Sequence, residues 1–337
     1  MERLALSLWV VLTVGTLASC ADGNYEVAVP AGFPELPVPA GNGLTEARVN
    51  LGKRLFYDKQ LSRTQEIACG SCHLADNAFS DPRQFSVGVE GRIGGRNAPS
   101  IVNLAWNTSF FWDGGAPTLE QQVIGPIINP LEMDMKMGDV TDRLAQDPTY
   151  VAAFQDAYGT EPIPGSLTKA VASFMRTIVS GDSRYDRYQN GDRAALSESE
   201  KRGMAIFSGE RGECFHCHVG FNFTNNGFRN DNLYAVYEDI GRAKITELES
   251  DVGKFKVPTL RNVALTAPYM HDGSLATLED VVEHYSTGGV LNANSDPTIQ
   301  PLDLTGEEKA DLVAFLRSLT DEKLIVDPRF RADEVRP

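Results

Sequence analysis

Cysteine and histidine are scarce in this chain of 337 residues, which contains only five of each. The fifth cysteine, Cys20, ends an apolar N-terminal stretch, and the other four lie in two short motifs, so no pair is left for a structural disulfide. Excess positive charge is also lacking. The net charge of −15 argues against nucleic acid as a partner.

The two motifs have the Cys-x-x-Cys-His pattern that attaches a c-type haem. In this chemistry the two thiols bond to the haem vinyl groups, and the following histidine binds the iron. Two copies in one chain predict two covalently bound haem c groups. One is held by Cys69, Cys72 and His73, and the other by Cys214, Cys217 and His218. A pair of zinc knuckles or redox-active Cys-x-x-Cys sites is the alternative.

The N-terminus has the pattern of an export signal. Arg3 precedes a mostly apolar stretch from Leu4 to Leu17, which is short for a membrane span. Covalent haem attachment takes place outside the cytoplasm, so we expect a signal peptide over residues 1–19 and a bacterial periplasmic location. Leu17-Ala18-Ser19-Cys20 resembles a lipobox, which predicts a lipid on Cys20 as the only membrane contact; an ordinary signal peptide is the alternative. Residues 20–43, rich in proline and glycine, then form an extended tether.

The body of the chain has helical patterns and few strand-like runs. Apolar residues recur at helical spacing in residues 44–57, 167–179 and 312–319, and patterns typical of helix N-caps begin at Thr118, Ser197 and Thr305. The predicted fold class is therefore mostly α, with long loops.

The chain contains an internal repeat. Seven residues between Pro99 and Glu120 recur between Pro258 and Glu279 at a constant offset, since 258 − 99 and 279 − 120 are both 159. We therefore predict two homologous haem domains in tandem, over residues 44–190 and 191–337. Trp112 of the first half corresponds to His271 of the second, which suggests different roles for the two haems.

Several segments, together with both haem motifs, resemble the bacterial di-haem cytochrome c peroxidase and MauG family over roughly residues 44–320. They are Arg96–Pro99, Phe111–Gly114, Asn129–Met133 and Pro268–Gly273. The resemblance implies two cytochrome c-like domains with a calcium ion between the haems. It also implies that hydrogen peroxide reacts at the N-terminal haem, and that the C-terminal haem relays or stores electrons.

The resemblance also implies roles for single residues. Glu132 matches the carboxylate that moves protons during peroxide cleavage, Gln122 its amide partner, and Trp112 the aromatic residue between the haems. Asn97 and the backbone carbonyls of Thr266 and Pro268 match the calcium ligands.

The sixth ligand of the second iron is implied by register. In the family this ligand falls fourteen positions after the histidine of the His-Asp-Gly motif. That histidine is His271 here, so the ligand position is 285, which is occupied by Tyr285. Donor-dependent peroxidases usually have methionine there, and MauG-type proteins have tyrosine, whose phenolate lowers the iron potential. The neighbouring His284 is the alternative ligand.

The absence of histidine between residues 74 and 215 predicts an open sixth position at the first haem. We therefore expect a peroxide-dependent enzyme of MauG type that forms high-valent iron and oxidises a residue of a partner protein. One alternative is a peroxidase that reduces peroxide to water with electrons from a cytochrome c or a cupredoxin. The other is a non-catalytic electron-transfer cytochrome. Gly212 stands where MauG has a surface tryptophan, which argues for a different partner.

Overall fold

The computed structural model describes residues 23–332, which fold mainly into short helices joined by long loops. The α-helices are α1 (Glu46–Tyr57), α2 (Leu119–Ile128), α3 (Met137–Leu144), α4 (Pro148–Tyr158), α5 (Pro164–Arg176), α6 (Arg184–Gln189), α7 (Glu198–Phe207), α8 (Ala243–Thr246), α9 (Leu278–Thr287), α10 (Gly306–Arg317) and α11 (Glu322–Val326). Two short strands, β1 (Phe228–Asn230) and β2 (Lys254–Lys256), pair antiparallel. The predicted helix-rich fold is confirmed. The predicted signal peptide and Cys20 lie outside the described residues.

Each half of the chain is built on one closely packed pair of helices, and a glycine permits the close approach. In the first half α1 packs on α5, and a Cβ atom at Gly52 would overlap the carbonyl oxygen of Ala170. In the second half α7 packs on α10, and a Cβ atom at Gly203 would overlap the carbonyl oxygen of Asp311. The two halves related by the sequence repeat therefore share the same kind of helix pair, with a glycine at the contact.

Buried apolar side chains form two main clusters and a smaller third one. The first cluster gathers side chains from α1 to α5, and the second gathers those from α7, α9 and α10. The third, with Leu233, Tyr237 and Phe255 at its centre, packs against Trp112 of the first half. Leu324 and Phe330 belong to the first cluster, so the end of the described chain returns to the first half.

The segment predicted as a tether is extended, but it is packed against the body where the structure describes it. The backbone N–H of Tyr25 donates to the carbonyl of Leu44 at 3.2 Å, and Tyr25 packs on the first cluster. Phe33 contacts the rings of Trp106 and Phe221. These aromatic side chains gain burial by docking, which a composition rich in proline and glycine does not reveal.

Within residues 23–332, no helix combines the length and the apolar character that a membrane crossing requires.

Candidate active site

One internal cavity of about 900 Å³ connects the two Cys-x-x-Cys-His motifs. Every predicted site residue except Cys69 lines its wall. These are Cys72, His73, Asn97, Trp112, Gln122, Glu132, Cys214, Cys217, His218, Thr266, Pro268 and Tyr285. The cavity is at the upper end of the range typical of ligand sites. Tertiary folding therefore brings together residues that lie more than two hundred positions apart in the sequence.

The two motif histidines are held in the same way. The ring Nδ1 atom of His73 lies 2.8 Å from the carbonyl oxygen of Phe79, and that of His218 lies 2.9 Å from the carbonyl oxygen of Phe223. A carbonyl can only accept, so Nδ1 carries the proton and Nε2 is left as a ligand atom. Burial lowers the pKa of both rings, which keeps them neutral as an iron ligand requires.

The motif cysteines have the geometry of haem tethers. Each motif forms a single 3₁₀ turn, and the backbone N–H of the histidine donates to the carbonyl of the first cysteine, at 3.0 Å in the first motif and 2.9 Å in the second. All four thiols are free. In the described chain the one group of three side chains placed to share a metal ion is Glu210, Glu213 and His216, which contains no cysteine. This arrangement gives no support to a zinc site at the motifs.

Glu132 and Gln122 both line the cavity, and Glu132 lies near the cysteines of the first motif. Burial raises the pKa of Glu132, whereas a hydrogen bond from Asn129 Nδ2 to Oε1 at 2.6 Å acts in the opposite direction. Burial raises the pKa of the Cys69 and Cys72 thiols, and the nearby Glu132 carboxylate acts in the same direction. The backbone N–H of Val89 donates to the Glu132 carbonyl at 2.8 Å. The loop around Val89, which contains no histidine, therefore packs against Glu132.

Tyr285, and not His284, faces the cavity near the second motif. Burial raises the pKa of Tyr285, and the ring is close enough to Cys214 and Cys217 for these thiols to contribute to that shift. The His284 ring turns the other way, with Nε2 2.8 Å from the carbonyl oxygen of Asp231. Consecutive helical residues point about 100° apart, which is why only one of the two can reach the cavity.

Trp112 lies where the two halves meet. Its indole N–H donates to the carbonyl of Asn97 at 2.8 Å, and its own carbonyl accepts from the backbone N–H of Lys256 at 2.7 Å. The backbone N–H of Asn97 donates to the carbonyl of His271 at 2.8 Å. Residues 97 and 256, like 112 and 271, differ by the repeat offset of 159. The two backbone hydrogen bonds are therefore equivalent and cross the boundary in opposite directions.

Comparison with known proteins places this geometry in a family. A family model described as di-haem cytochrome c peroxidase matches residues 46–194. The methylamine utilization protein MauG of Methylorubrum extorquens is 39% identical over 317 residues, which cover 91% of this chain and 89% of that protein. The chain belongs to the di-haem cytochrome c peroxidase and MauG family. It is a peroxidase, an oxidoreductase whose cofactors are haem c groups.

Two further relatives agree with this assignment. Cytochrome c551 peroxidase of Nitrosomonas europaea is 34% identical over 319 residues, covering 93% of this chain and 92% of that protein. A solved structure described as a MauG-like protein associated with microbial copper homeostasis is 38% identical. It covers 93% of this chain and 100% of its own, with a TM-score of 0.88. The relatives thus include both MauG proteins and cytochrome c peroxidases.

The three predicted calcium ligands of this peroxidase line one cavity. Asn97 Nδ2 donates to the carbonyls of Arg83 and Gln84, at 3.2 Å each. No donor among the described residues is bonded to the Asn97 side-chain oxygen, which leaves that atom available as a ligand.

Two residues near the haem sites had no role assigned from sequence. Asn129 holds the Glu132 carboxylate, and Lys256 lies buried in the cavity wall. The position of Lys256 could have been found from the internal repeat, because it is the counterpart of Asn97. Its burial depends on the tertiary fold and has no signal in the sequence.

Proposed function

We propose that this peroxidase uses hydrogen peroxide at the first haem to oxidise a side chain of a partner protein, as MauG-type enzymes do. The observation that carries the proposal is Tyr285 on the cavity wall, while His284 is bonded elsewhere. When bound, the haems supply iron centres that accept the two oxidising equivalents of peroxide. A tyrosine ligand favours the oxidised iron, so a second centre ligated by Tyr285 is suited to hold one equivalent.

The residues of the first half handle peroxide in this proposal. Glu132 takes a proton from one peroxide oxygen and returns it to the other, and burial raises its pKa toward the value that such a role needs. Asn129 orients the carboxylate through the 2.6 Å hydrogen bond, and Gln122 lines the same wall. Trp112 lies between the haems and provides the aromatic ring through which the two halves exchange electrons.

Reduction of peroxide with a cytochrome c or cupredoxin donor is a second candidate, because Gly212 stands where MauG has a surface tryptophan. A Cβ atom at Gly212 would overlap the carbonyl oxygen of Ile206, so a tryptophan at this position requires the backbone to move. Position 212 therefore offers no aromatic side chain for electron exchange with a partner protein.

The remaining predictions complete the proposal. Two cytochrome c-like domains, over residues 44–190 and 191–337, each hold one haem. A calcium ion binds between them at Asn97, Thr266 and Pro268, with other oxygen atoms completing the six to eight ligands that calcium takes. The enzyme is periplasmic and is attached to a membrane through a lipid on Cys20.

The test is the reaction of the fully oxidised holoenzyme with peroxide when no reductant is present. We expect one high-spin and one low-spin haem in the resting EPR spectrum. We also expect a rapid reaction that leaves two oxidising equivalents per enzyme, measurable by titration with ferrocyanide. Reactivity that requires prior reduction by cytochrome c would favour the donor-dependent peroxidase. Two low-spin haems that do not react with peroxide would identify an electron carrier.

Protein oxidation requires a second measurement. Periplasmic proteins are treated with the enzyme and peroxide, and mass spectrometry then searches for oxidised tryptophan or tyrosine. Tyr285→Met is the matched control, and the proposal predicts that it loses this protein oxidation. Equal oxidation by wild type and variant would contradict the role of Tyr285.

A further inference from the structure

Lys256 is a buried cation on the cavity wall that has no partner within the described chain. Its residue is 8% exposed, its side chain lines the cavity, and among residues 23–332 no hydrogen bond or ion pair is formed by its ammonium group. Burial lowers the pKa of Lys256 to about 8, so the group still carries its charge at neutral pH. Burying an unpaired ammonium costs several kcal/mol, and buried charges in proteins are normally paired.

The carboxylates of the cavity wall do not pair with this lysine. Asp239 is held by Arg96 at 2.6 Å and by Lys244 at 2.7 Å. Asp231 accepts from the hydroxyl of Tyr237 at 2.7 Å. The other two carboxylates with assigned partners are Glu132, bonded to Asn129, and Glu213, bonded to His216. Glu238 is exposed at the surface. Among residues 23–332, no carboxylate of the cavity wall is therefore paired with Lys256, and a group bound in the cavity can supply the matching anion.

Two backbone contacts position Lys256. Its N–H donates to the Trp112 carbonyl at 2.7 Å, and it is paired with Phe228 in the two-stranded sheet. Pro258, two residues later, lines the cavity together with His218 of the second motif. The lysine thus lies between the inter-domain tryptophan and the second haem motif.

The internal repeat shows that the charge is specific to one half. The counterpart of Lys256 is Asn97, whose side chain is neutral and whose amide is bonded to the carbonyls of Arg83 and Gln84. The two backbone positions make equivalent hydrogen bonds, so Asn97 and Lys256 occupy comparable places and differ in the charge of the side chain. The positive charge of Lys256 therefore has no counterpart at the equivalent position of the first half.

We propose that the ammonium group of Lys256 binds a haem propionate inside the cavity and raises the reduction potential of that haem. Propionates are the carboxylates that each haem brings into the cavity, and a charge-assisted hydrogen bond to one of them removes the cost of burying the lysine. A nearby cation stabilises the ferrous state relative to the ferric state, because reduction adds negative charge. The inference requires the two bound haems, but not the partner-protein substrate of the proposed function.

The test compares holoenzyme variants by their midpoint potentials, with EPR and optical spectra assigning each potential to a haem. Lys256→Met should lower the potential of one haem, by up to about a tenfold change in the ratio of ferric to ferrous iron, or about 59 mV. Lys256→Arg, which keeps the charge, should restore most of the loss. The haem whose potential falls identifies whether the propionate belongs to the first or the second site.

Lys254→Met is the matched control, because Lys254 is in the same strand but pairs with Asp251 at 3.0 Å, away from the haems. We expect it to leave both potentials unchanged. The proposal is wrong if Lys256→Met retains both haems and leaves both potentials at their wild-type values, or if Lys254→Met shifts them equally. If Lys256→Met fails to retain haem, Lys256→Arg must restore haem content, and its failure to do so would overturn the proposal.

Discussion

Replacing Glu132 by glutamine tests the acid–base role most directly. The side chains have nearly the same size, and a glutamine oxygen can still accept the 2.6 Å hydrogen bond from Asn129 Nδ2. The backbone hydrogen bonds at this position do not depend on the side chain. They run from the Glu132 N–H to the Asn129 carbonyl and from the Val89 N–H to the Glu132 carbonyl. We therefore expect Glu132→Gln to fold and to bind both haems.

We expect Glu132→Gln to react more slowly with peroxide than the wild type. An amide cannot take up and return a proton, and removing a general acid–base typically slows a reaction by about 10²–10⁴-fold. This corresponds to about 2.7–5.4 kcal/mol in the activation free energy at 1.36 kcal/mol per decade. Burial raises the pKa of Glu132 because it disfavours the charged carboxylate. A neutral glutamine side chain therefore costs no more free energy to bury at this position than the glutamate does. Stability should therefore be unchanged or slightly increased.

The assay is stopped-flow absorbance of the holoenzyme mixed with peroxide, with haem content and thermal unfolding measured on the same samples. Glu90→Gln is the matched control, since Glu90 is an exposed carboxylate on the neighbouring loop, paired with Arg63 and Arg92. A Glu132→Gln rate within fivefold of wild type would refute the acid–base assignment. An equal loss in Glu90→Gln would attribute the effect to loop structure instead.

Three more predictions concern the second haem ligand, a helix contact and a buried ion pair. Tyr285→Met should raise the potential of the second haem in spectroelectrochemical titration, because a neutral thioether replaces an anionic phenolate; an unchanged potential would mean that Tyr285 is not the ligand. Gly203→Ala should destabilise the protein by about 1–3 kcal/mol in thermal unfolding, because its Cβ atom would overlap the backbone of α10; wild-type stability would refute this packing. Asp186→Asn should cost about 3–5 kcal/mol at pH 7, because it leaves the buried Arg261 unpaired. Although burial alone would raise the pKa of Asp186, the bidentate contact with Arg261 lowers it, so this stability is present above the ordinary pKa and is lost as pH falls. The difference between wild type and Asp186→Asn should therefore shrink below about pH 4, and a constant difference would contradict the assignment.

The haem-attachment residues could be predicted from sequence alone, because the chemistry is local. Two thiols and a histidine within five residues form one turn, and the turn observed at Cys69 and at Cys214 is the one that the motif requires. Helix starts were also local. Ser197 and Thr305 cap their helices as predicted, since a capping side chain bonds to a backbone N–H only three residues away.

Other features depended on contacts between distant segments. The family register implied Tyr285 as the ligand of the second iron. Which of Tyr285 and His284 faces the cavity is decided by the orientation of α9 and by the carbonyl of Asp231, 53 positions from His284. The docking of Phe33 and Tyr25 has the same origin.

The sequence by itself determined the cofactor type, the number of haem motifs, the repeat and most helices, because each follows from residues close together in the chain. Only the tertiary structure decided that Lys256 is buried with no carboxylate partner among residues 23–332, that Asn129 holds Glu132, and that the two motifs share one cavity. Burial and pairing depend on which segments meet in three dimensions, and that outcome is set by the packing of the whole chain.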